Sequence, residues 1–545
     1  MKKQIVVLMT DTTRKDMVGC YGNEKMKTPN LDRLAQEGIR YENAYTCQPV
    51  CGPARGAIFT GAFPHTNGVV TNSIGMGDNI KTIGQRLHDN KIECGYIGKW
   101  HLDGSDYFGN GICPDGWNPK YWYDMRTYLS ELSDEDKLRS RDSQTSYTEG
   151  FSEEFTYAHR CSDRAIAYLN EFKDQDFFLT VSYDEPHGPS LCPAPFNHMY
   201  DGFCFESSPS FQDDLSKKPM LQQLWAGKNL HAPESEINKA SKGLSLFLGC
   251  NSFADYEMGR VLDAISKLAP DAMVIYTSDH GDMLGAHRLT SKNAAAYKEV
   301  ANIPLIIKGG AKGQVVHEMA SHIDIAPTIM DYFELPVPKT MEGKSMLAQI
   351  YDPSVKINDA VFTEFTRYEV DHDGFGGLQM MRAITTKRYK LVIHLLDTDE
   401  FYDLETDPYE VENRINDEAY EAVRNELHDK LLAHMDDTRD LYRGYQWKMR
   451  PWRKNVTPDW NNGGYTRQRE NEEYEPRQLD YDTGLPMEKA VRNKLLYRYM
   501  KWALRILTQR LFKCFYFSVE NDASSCAKNS CGICRQSGNT SSFAK

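Results

Sequence analysis

An α/β fold with a smaller α+β appendage is what this sequence predicts, and three observations lead there. Short apolar runs alternate with helical stretches through about the first 350 residues, the pattern of parallel strands joined by crossover helices. Four of those runs are bare of charge inside, as strands buried on both faces are, and each releases polar residues at its carboxyl end. From about residue 355 the pattern changes to short β-rich runs followed by a helical stretch.

In chain order, the first run, QIVVLMT, ends at Asp11. TPNLDRLAQEGIR reads as a helix with Thr28 as N-cap, Pro29 in the first turn and Gly38 as the stop. CGYIG ends at Lys99 with His101 just beyond, FFLTVSY at Asp184 with His187 beyond, and AMVIYTS at Asp279 and His280. In open α/β sheets that carboxyl edge is where ligands bind. DIAPTIMDYF closes the region as a helix, so residues 1–350 are taken as the main domain. Residues 351–450 form a small α+β domain: AVFTEF, MRAITT and YKLVIHLL make an antiparallel sheet, and AVRNELHDKLLAHM a helix packed on it. Residues 451–490, polar and rich in Gly and Pro, read as an extended surface wrap. Residues 491–545 read as a basic amphipathic tail, expected to be partly disordered, with Leu496, Met500, Leu504, Leu507 and Leu511 on one helical face among basic residues. A helix docked on its own protein is preferred there over a membrane-surface helix. Cys526, Cys531 and Cys534 lack a clear fourth ligand, and no role is assigned to them.

The balance of 64 basic against 77 acidic residues, net −13, argues against a nucleic-acid partner. The apolar run Ile5 to Met9 is too short for a signal-peptide core, and nowhere do about 18 consecutive apolar residues occur. Thirteen cysteines at irregular spacings do not form a disulfide framework. These features lead to the expectation of a cytoplasmic protein with mostly free thiols.

The stretch TCQPVCGPARGAIFTG, residues 46–61, carries the chemistry. If Pro53 lies in the first turn of a helix, residue 51 sits at its N-terminal end, where free N–H groups and the helix dipole favour an anion. Arg55, one turn on, brings a planar cationic fork expected to hold the residue-51 side chain and neutralise charge. A structural cysteine before a core helix is the bland alternative. A cysteine phosphatase is excluded by spacing, since its loop needs about five residues between Cys and Arg, and three stand here.

Cys51-x-Pro53-x-Arg55, continuing to Thr60-Gly61, resembles the signature of the type I sulfatases, in which the cysteine is oxidised to formylglycine. Cys47 does not fit, because Cys51 occupies its arginine position. GYIGKWHLDG resembles the second signature of that family. The resemblance covers about residues 3 to 450, extends less specifically through DYDTGLP, and looks closest to the bacterial carbohydrate sulfatases. It implies an alkaline-phosphatase-like fold: a large mixed sheet sandwiched by helices, with a smaller C-terminal antiparallel sheet and helix.

The resemblance also implies the site. Asp11, Asp279, His280 and the residue-51 oxygen would hold a divalent cation, Ca²⁺ first, with Mn²⁺ or Mg²⁺ as alternatives. Thr12 stands where the family has a second acidic residue. Lys99 would anchor the nucleophile, His101 deprotonate its spare hydroxyl, and His187 and Lys292 contact the sulfate and the leaving oxygen. Attack on sulfur by the formylglycine hydrate, activated by Asp279, would be followed by sulfate expulsion and return of the aldehyde. The implied partners are a small sulfated carbohydrate and a formylglycine-generating maturation enzyme. Two rivals share the motif: a phosphonate monoester or phosphodiester hydrolase, and a non-catalytic glycan binder whose Cys51 is never converted. The aromatic stretch YFGNGICPDGWNPKYWYDM reads equally as sugar-stacking surface or as core.

Overall fold

Strand β1 (Gln4–Asp11) is buried along its whole length, and its alternating side chains feed two cores. Val6 and Leu8 pack on one face of the sheet, Ile5, Val7 and Met9 on the other. The structure, a computed structural model, describes residues 2–454 except 105–106, 206–207, 234–235, 237–242 and 368–377. Beyond residue 454 it describes only 456, 479, 483–486, 489 and 500.

After β1 come α1 (Pro29–Glu37), β2 (Ile39–Tyr45), α2 (Cys51–Thr60), β3 (Glu93–Gly98), α3 (Tyr157–Phe172), β4 (Phe177–Pro186), α4 (Leu244–Leu268), β5 (Met273–Ser278), β6 (Leu305–Lys308), β7 (Gln314–Ser321) and α5 (Ile325–Tyr332). The seven strands form one sheet in the order β3-β4-β1-β5-β6-β2-β7. Helices α1, α3 and α4 cover one face, while α2 and α5 cover the other. The sheet is mixed: β6 runs antiparallel to both β5 and β2, and the remaining neighbours are parallel. An all-parallel reading of the apolar runs fails at β6 for a physical reason. The chain between β5 and β6 carries short helical turns instead of a crossover helix, so it returns along the same edge. That excursion holds His280 and Lys292.

Helix α1 begins and stops where the sequence predicts, at Pro29 and before Gly38. Thr28, however, does not cap it; its hydroxyl accepts from the Gly19 N–H at 2.8 Å. The aromatic stretch resolves mostly as core: Trp117 and Trp122 pack with Tyr96 and Trp100, and Tyr123 is buried.

The second sheet has its four strands side by side in chain order and is antiparallel throughout. It comprises β8 (Val361–Arg367), β9 (Gln379–Thr385), β10 (Tyr389–His394) and β11 (Glu400–Asp403), with α6 (Glu421–Asp437) laid on it. Leu427, Leu431 and Met435, spaced four apart, bury against Ile384, Leu391, Ile393 and Phe401. Trp447 and Trp452 close the same core. Both sheets belong to one compact unit, Met1–Pro458; a second unit, Asp459–Lys545, is described at only a few positions. Apart from Met500, the amphipathic tail lies outside the described residues together with the cysteines 526, 531 and 534, as does most of the wrap. Among the described residues no helix is long and apolar enough to cross a membrane.

Candidate active site

Cys51 is the first residue of α2, with Pro53 in the opening turn as predicted. Glycine at 52 and 56 and alanine at 54 and 57 let the helix bury along its entire length. Cys51 is itself only 1% exposed. The Gly52 N–H is taken by Asn72 Oδ1 at 2.8 Å, so the helix end is partly satisfied by the protein itself.

Around Cys51 Sγ the ends of β1 and β5 converge. Asp11 Oδ1 lies 3.6 Å away and His280 Nε2 3.2 Å. His280 Nδ1 faces the Gly281 carbonyl at 2.8 Å; a carbonyl only accepts, so Nδ1 carries a proton and Nε2 is the nitrogen turned to the cluster. Asp11, Cys51, Asp279 and His280 place their ligand atoms within 4.8 Å of one another, all buried. Two carboxylates and one imidazole, joined by an oxygen were Cys51 converted to formylglycine, would fit a hard divalent cation. Thr12 donates its hydroxyl to Asp11 Oδ1 at 2.6 Å and its N–H to Asp279 Oδ1 at 3.1 Å. In this geometry it orients the two carboxylates.

The cations are placed differently from the roles carried over by resemblance. Arg55 does not hold residue 51: its guanidinium bonds Asp279 Oδ2 and Asp11 Oδ2, each at 3.1 Å, with Lys99 O and Ser182 Oγ at 2.8 and 2.7 Å. The planar fork reaches all four because it presents donors in several fixed directions. Lys99 Nζ likewise contacts Asp11 at 2.8 Å and Asp184 at 3.0 Å. Both cations bind the carboxylates beside Cys51, and Lys99 also acts on its sulfur through charge. Lys292 makes no described ion pair or hydrogen bond; its influence on Cys51 and Asp11 is through charge.

The electrostatics follow from burial against those charges. Burial and Asp11 oppose ionisation of Cys51, but Lys292, Lys99 and His280 outweigh them and hold the thiol down to about 5. Burial works against Asp11 as well, yet Lys99, His187 and Arg55 keep it well below the usual carboxylate range. Burial and then Asp11 push Asp279 up to about 6. Burial and the neighbouring Lys99 hold His101 down to about 3 and His187 to about 4, so both imidazoles are neutral near pH 7. His101 Nδ1 has no hydrogen-bond partner among the described residues.

Backbone strain collects here. Thr12, His101 and Ser291 adopt φ of 70°, 58° and 62°, unfavourable for residues with a Cβ. They adjoin Asp11, carry the imidazole itself, and precede Lys292. Gly98, φ +115°, has the Ser182 carbonyl 1.9 Å from where a Cβ would stand, so only glycine lets the end of β3 deliver Lys99 across β4.

Every predicted site residue is therefore brought to the carboxyl edge of the large sheet. Tyr107 and Ser182 escaped sequence reasoning, and Asp184 was recognised only as a strand end. Tyr107 follows the Lys99-His101 signature by a few residues, and only packing brings its ring to 4.2 Å from Lys99 Nζ.

A mixed sheet with a nucleophile position at a helix start beside an Asp-His pair defines a hydrolase of the alkaline-phosphatase-like class, and the chain belongs to the sulfatase family. The Sulfatase family model matches residues 3–335, and that of the N-sulphoglucosamine sulphohydrolase C-terminal region matches residues 285–437. It is a sulfuric ester hydrolase. Among curated relatives it is similar to the uncharacterized sulfatase YidJ of Escherichia coli (strain K12). The two are 43% identical over 499 residues, covering 89% of this chain and 97% of the relative. The fold is shared with the structure of BT4656 in complex with its substrate D-glucosamine-2-N,6-O-disulfate (TM-score 0.66, 22% identity, 81% of this chain and 99% of that one). It is shared equally with the phosphonate monoester hydrolase of Agrobacterium radiobacter (TM-score 0.67, 21% identity, 80% and 96%).

Proposed function

We propose that the protein hydrolyses the sulfate monoester of a sugar or glycan fragment, with Cys51 matured to formylglycine and a divalent cation, Ca²⁺ before Mn²⁺ or Mg²⁺, bound beside it. The observation that carries this reading is the convergence of Asp11, Cys51, Asp279 and His280 within one buried cluster at the sheet edge. The hydrated aldehyde supplies one hydroxyl to attack sulfur and a second to expel sulfate, and the cation supplies charge neutralisation for both.

The chain's own residues do the rest. Arg55 and Lys99 fix Asp11 and Asp279 in place. Asp279, pushed up to about 6 by burial and Asp11, is suited to take the proton of the attacking hydroxyl. Lys292, next to the cluster, offsets charge on the sulfate oxygens. His101, neutral and with Nδ1 unpartnered among the described residues, takes the second hydroxyl proton. His187 or Lys292 protonates the departing alcohol.

A formylglycine-generating enzyme is the partner this reading requires. A cytoplasmic location belongs to the same reading and is supported by nine free cysteines among the described residues.

Mass spectrometry of the peptide spanning residue 51 tests maturation: conversion lowers the mass by about 18 Da, and an intact thiol in active material overturns the proposal. Sulfate release from 4-nitrocatechol sulfate should exceed turnover of a phenyl phosphonate ester; the reverse order would mark a phosphonate monoester or phosphodiester hydrolase. Screening against sulfated mono- and disaccharides then identifies the sugar.

A further inference from the structure

Tyr107 stands between three basic groups of the site. Its ring lies 4.2 Å from Lys99 Nζ, with centroids 5.4 Å from His101 and 5.3 Å from His187. Its hydroxyl is 2.6 Å from Asp184 Oδ1 and 2.9 Å from His187 Nδ1. These two contacts fix every proton in the chain. Asp184, paired with Lys99 at 3.0 Å, is ionised and can only accept, so the single phenolic proton goes to it. The phenol oxygen is then left as acceptor toward His187. The Gly188 carbonyl, 3.1 Å from the same Nδ1, is also an acceptor only. Two acceptors on one ring nitrogen require that Nδ1 carry a hydrogen, which leaves Nε2 as the nitrogen with the free lone pair in the neutral ring.

We propose that Tyr107, held by Asp184, is a positioning residue that directs His187 Nε2 to the leaving oxygen and stabilises the protonated imidazole, making His187 rather than Lys292 the acid that protonates the departing alcohol. The inference rests on the sulfatase reading above and deepens it. Both acceptors on Nδ1–H strengthen when the ring is cationic. The groups facing His187 are Tyr107, Asp184, Asp11, Lys99 and Lys292. The two lysines disfavour the imidazolium, and the negative charge of a bound sulfate ester offsets them. As the S–O bond breaks, its electron pair goes to the ester oxygen, the Nε2 proton follows, and the ring returns to neutral with Nδ1–H in place.

The test uses the matured full-length enzyme and aryl sulfates whose leaving phenols differ in acidity. A 4-nitrophenolate leaves without a proton, whereas phenol needs one. For Tyr107→Phe, kcat on phenyl sulfate should fall by about 100-fold while 4-nitrophenyl sulfate loses less than about 3-fold, with KM nearly unchanged. The limb on which activity falls as pH rises should move to lower pH for phenyl sulfate, because a ring with one acceptor fewer holds its second proton less well. Asp184→Asn, which leaves the phenol a neutral and weaker acceptor for its proton, should show the same split to a smaller degree. Equal loss on both substrates, or no loss on phenyl sulfate, overturns the role of Tyr107. His187→Ala losing both substrates equally would assign the acid to another group and overturn it as well. A wild-type enzyme inert toward every aryl sulfate would instead overturn the sulfatase reading on which the proposal stands.

Discussion

Arg55 shows how little of a residue's role is contained in its own position. Its guanidinium is fully buried and ties Asp11, 44 residues away in sequence, to Asp279, 224 residues away. Replacing it with lysine keeps the charge but cannot reach both carboxylates, so a buried acid is left unpaired. Arg55→Lys is expected to lose about 3 kcal/mol of stability and most activity, read by chemical denaturation and by turnover of 4-nitrocatechol sulfate. Cys51 is the converse case. Alanine there removes one buried sulfur from a helix start, at a cost of about 1 kcal/mol, but under the proposed function removes the whole nucleophile. Cys51→Ala should therefore keep a wild-type-like thermal transition and lose all turnover; a stability loss as large as that of Arg55→Lys would argue for the structural reading of the cysteine.

Elements are joined by a second buried charge cluster, away from the nucleophile. His65, in the short helix Pro64–Asn67 that follows α2, pairs through Nδ1 with Glu364 of β8 at 2.5 Å, and Arg382 of β9 bridges to Asp440 at 2.6 Å. Burial opposes the charge on His65, but Glu364 more than compensates and raises its pKa above the ordinary histidine value. The groups facing it are Glu364, Asp440, Arg382, Glu342 and His434. A raised folded pKa means that the contribution is fully present below the unfolded value of about 6.5 and is lost as pH rises through the folded one. The stability gap between wild type and His65→Gln should shrink when melting is compared at pH 6 and pH 9; a gap that widened would contradict the ion pair. At this scale much was legible in advance. The strand runs end where the chemistry begins, and α1, α2 and the 421–437 helix appear where apolar spacing, Pro29 and Pro53 place them. The direction of β6 was not legible, because strand direction depends on how the preceding excursion folds back. Nor was the failure of Thr28 to cap, since Gly19 competes for its hydroxyl.

For the molecule as a whole, a cation bound as proposed beside Asp11 and Asp279 would be a stability term as well as a catalytic one. Binding to the folded state alone stabilises by mass action, about 2.7 kcal/mol at a hundredfold excess over Kd. Added Ca²⁺ should raise the thermal midpoint, chelator should lower it together with activity, and His280→Ala should blunt both responses. A midpoint indifferent to cation and chelator would remove the metal from the site. What the sequence determined by itself is chemistry that is local in the chain: a nucleophile position at a helix start and polar residues released at strand ends. Such features depend on hydrogen bonding and patterning over a few residues. Tertiary structure alone decided the partners: Arg55 and Lys99 on carboxylates instead of on residue 51, Trp117 and Trp122 in the core, and Tyr107 linked to Asp184 across 77 residues. Those choices depend on which distant groups packing brings into contact, and a pattern read along one chain holds no information about distance in space.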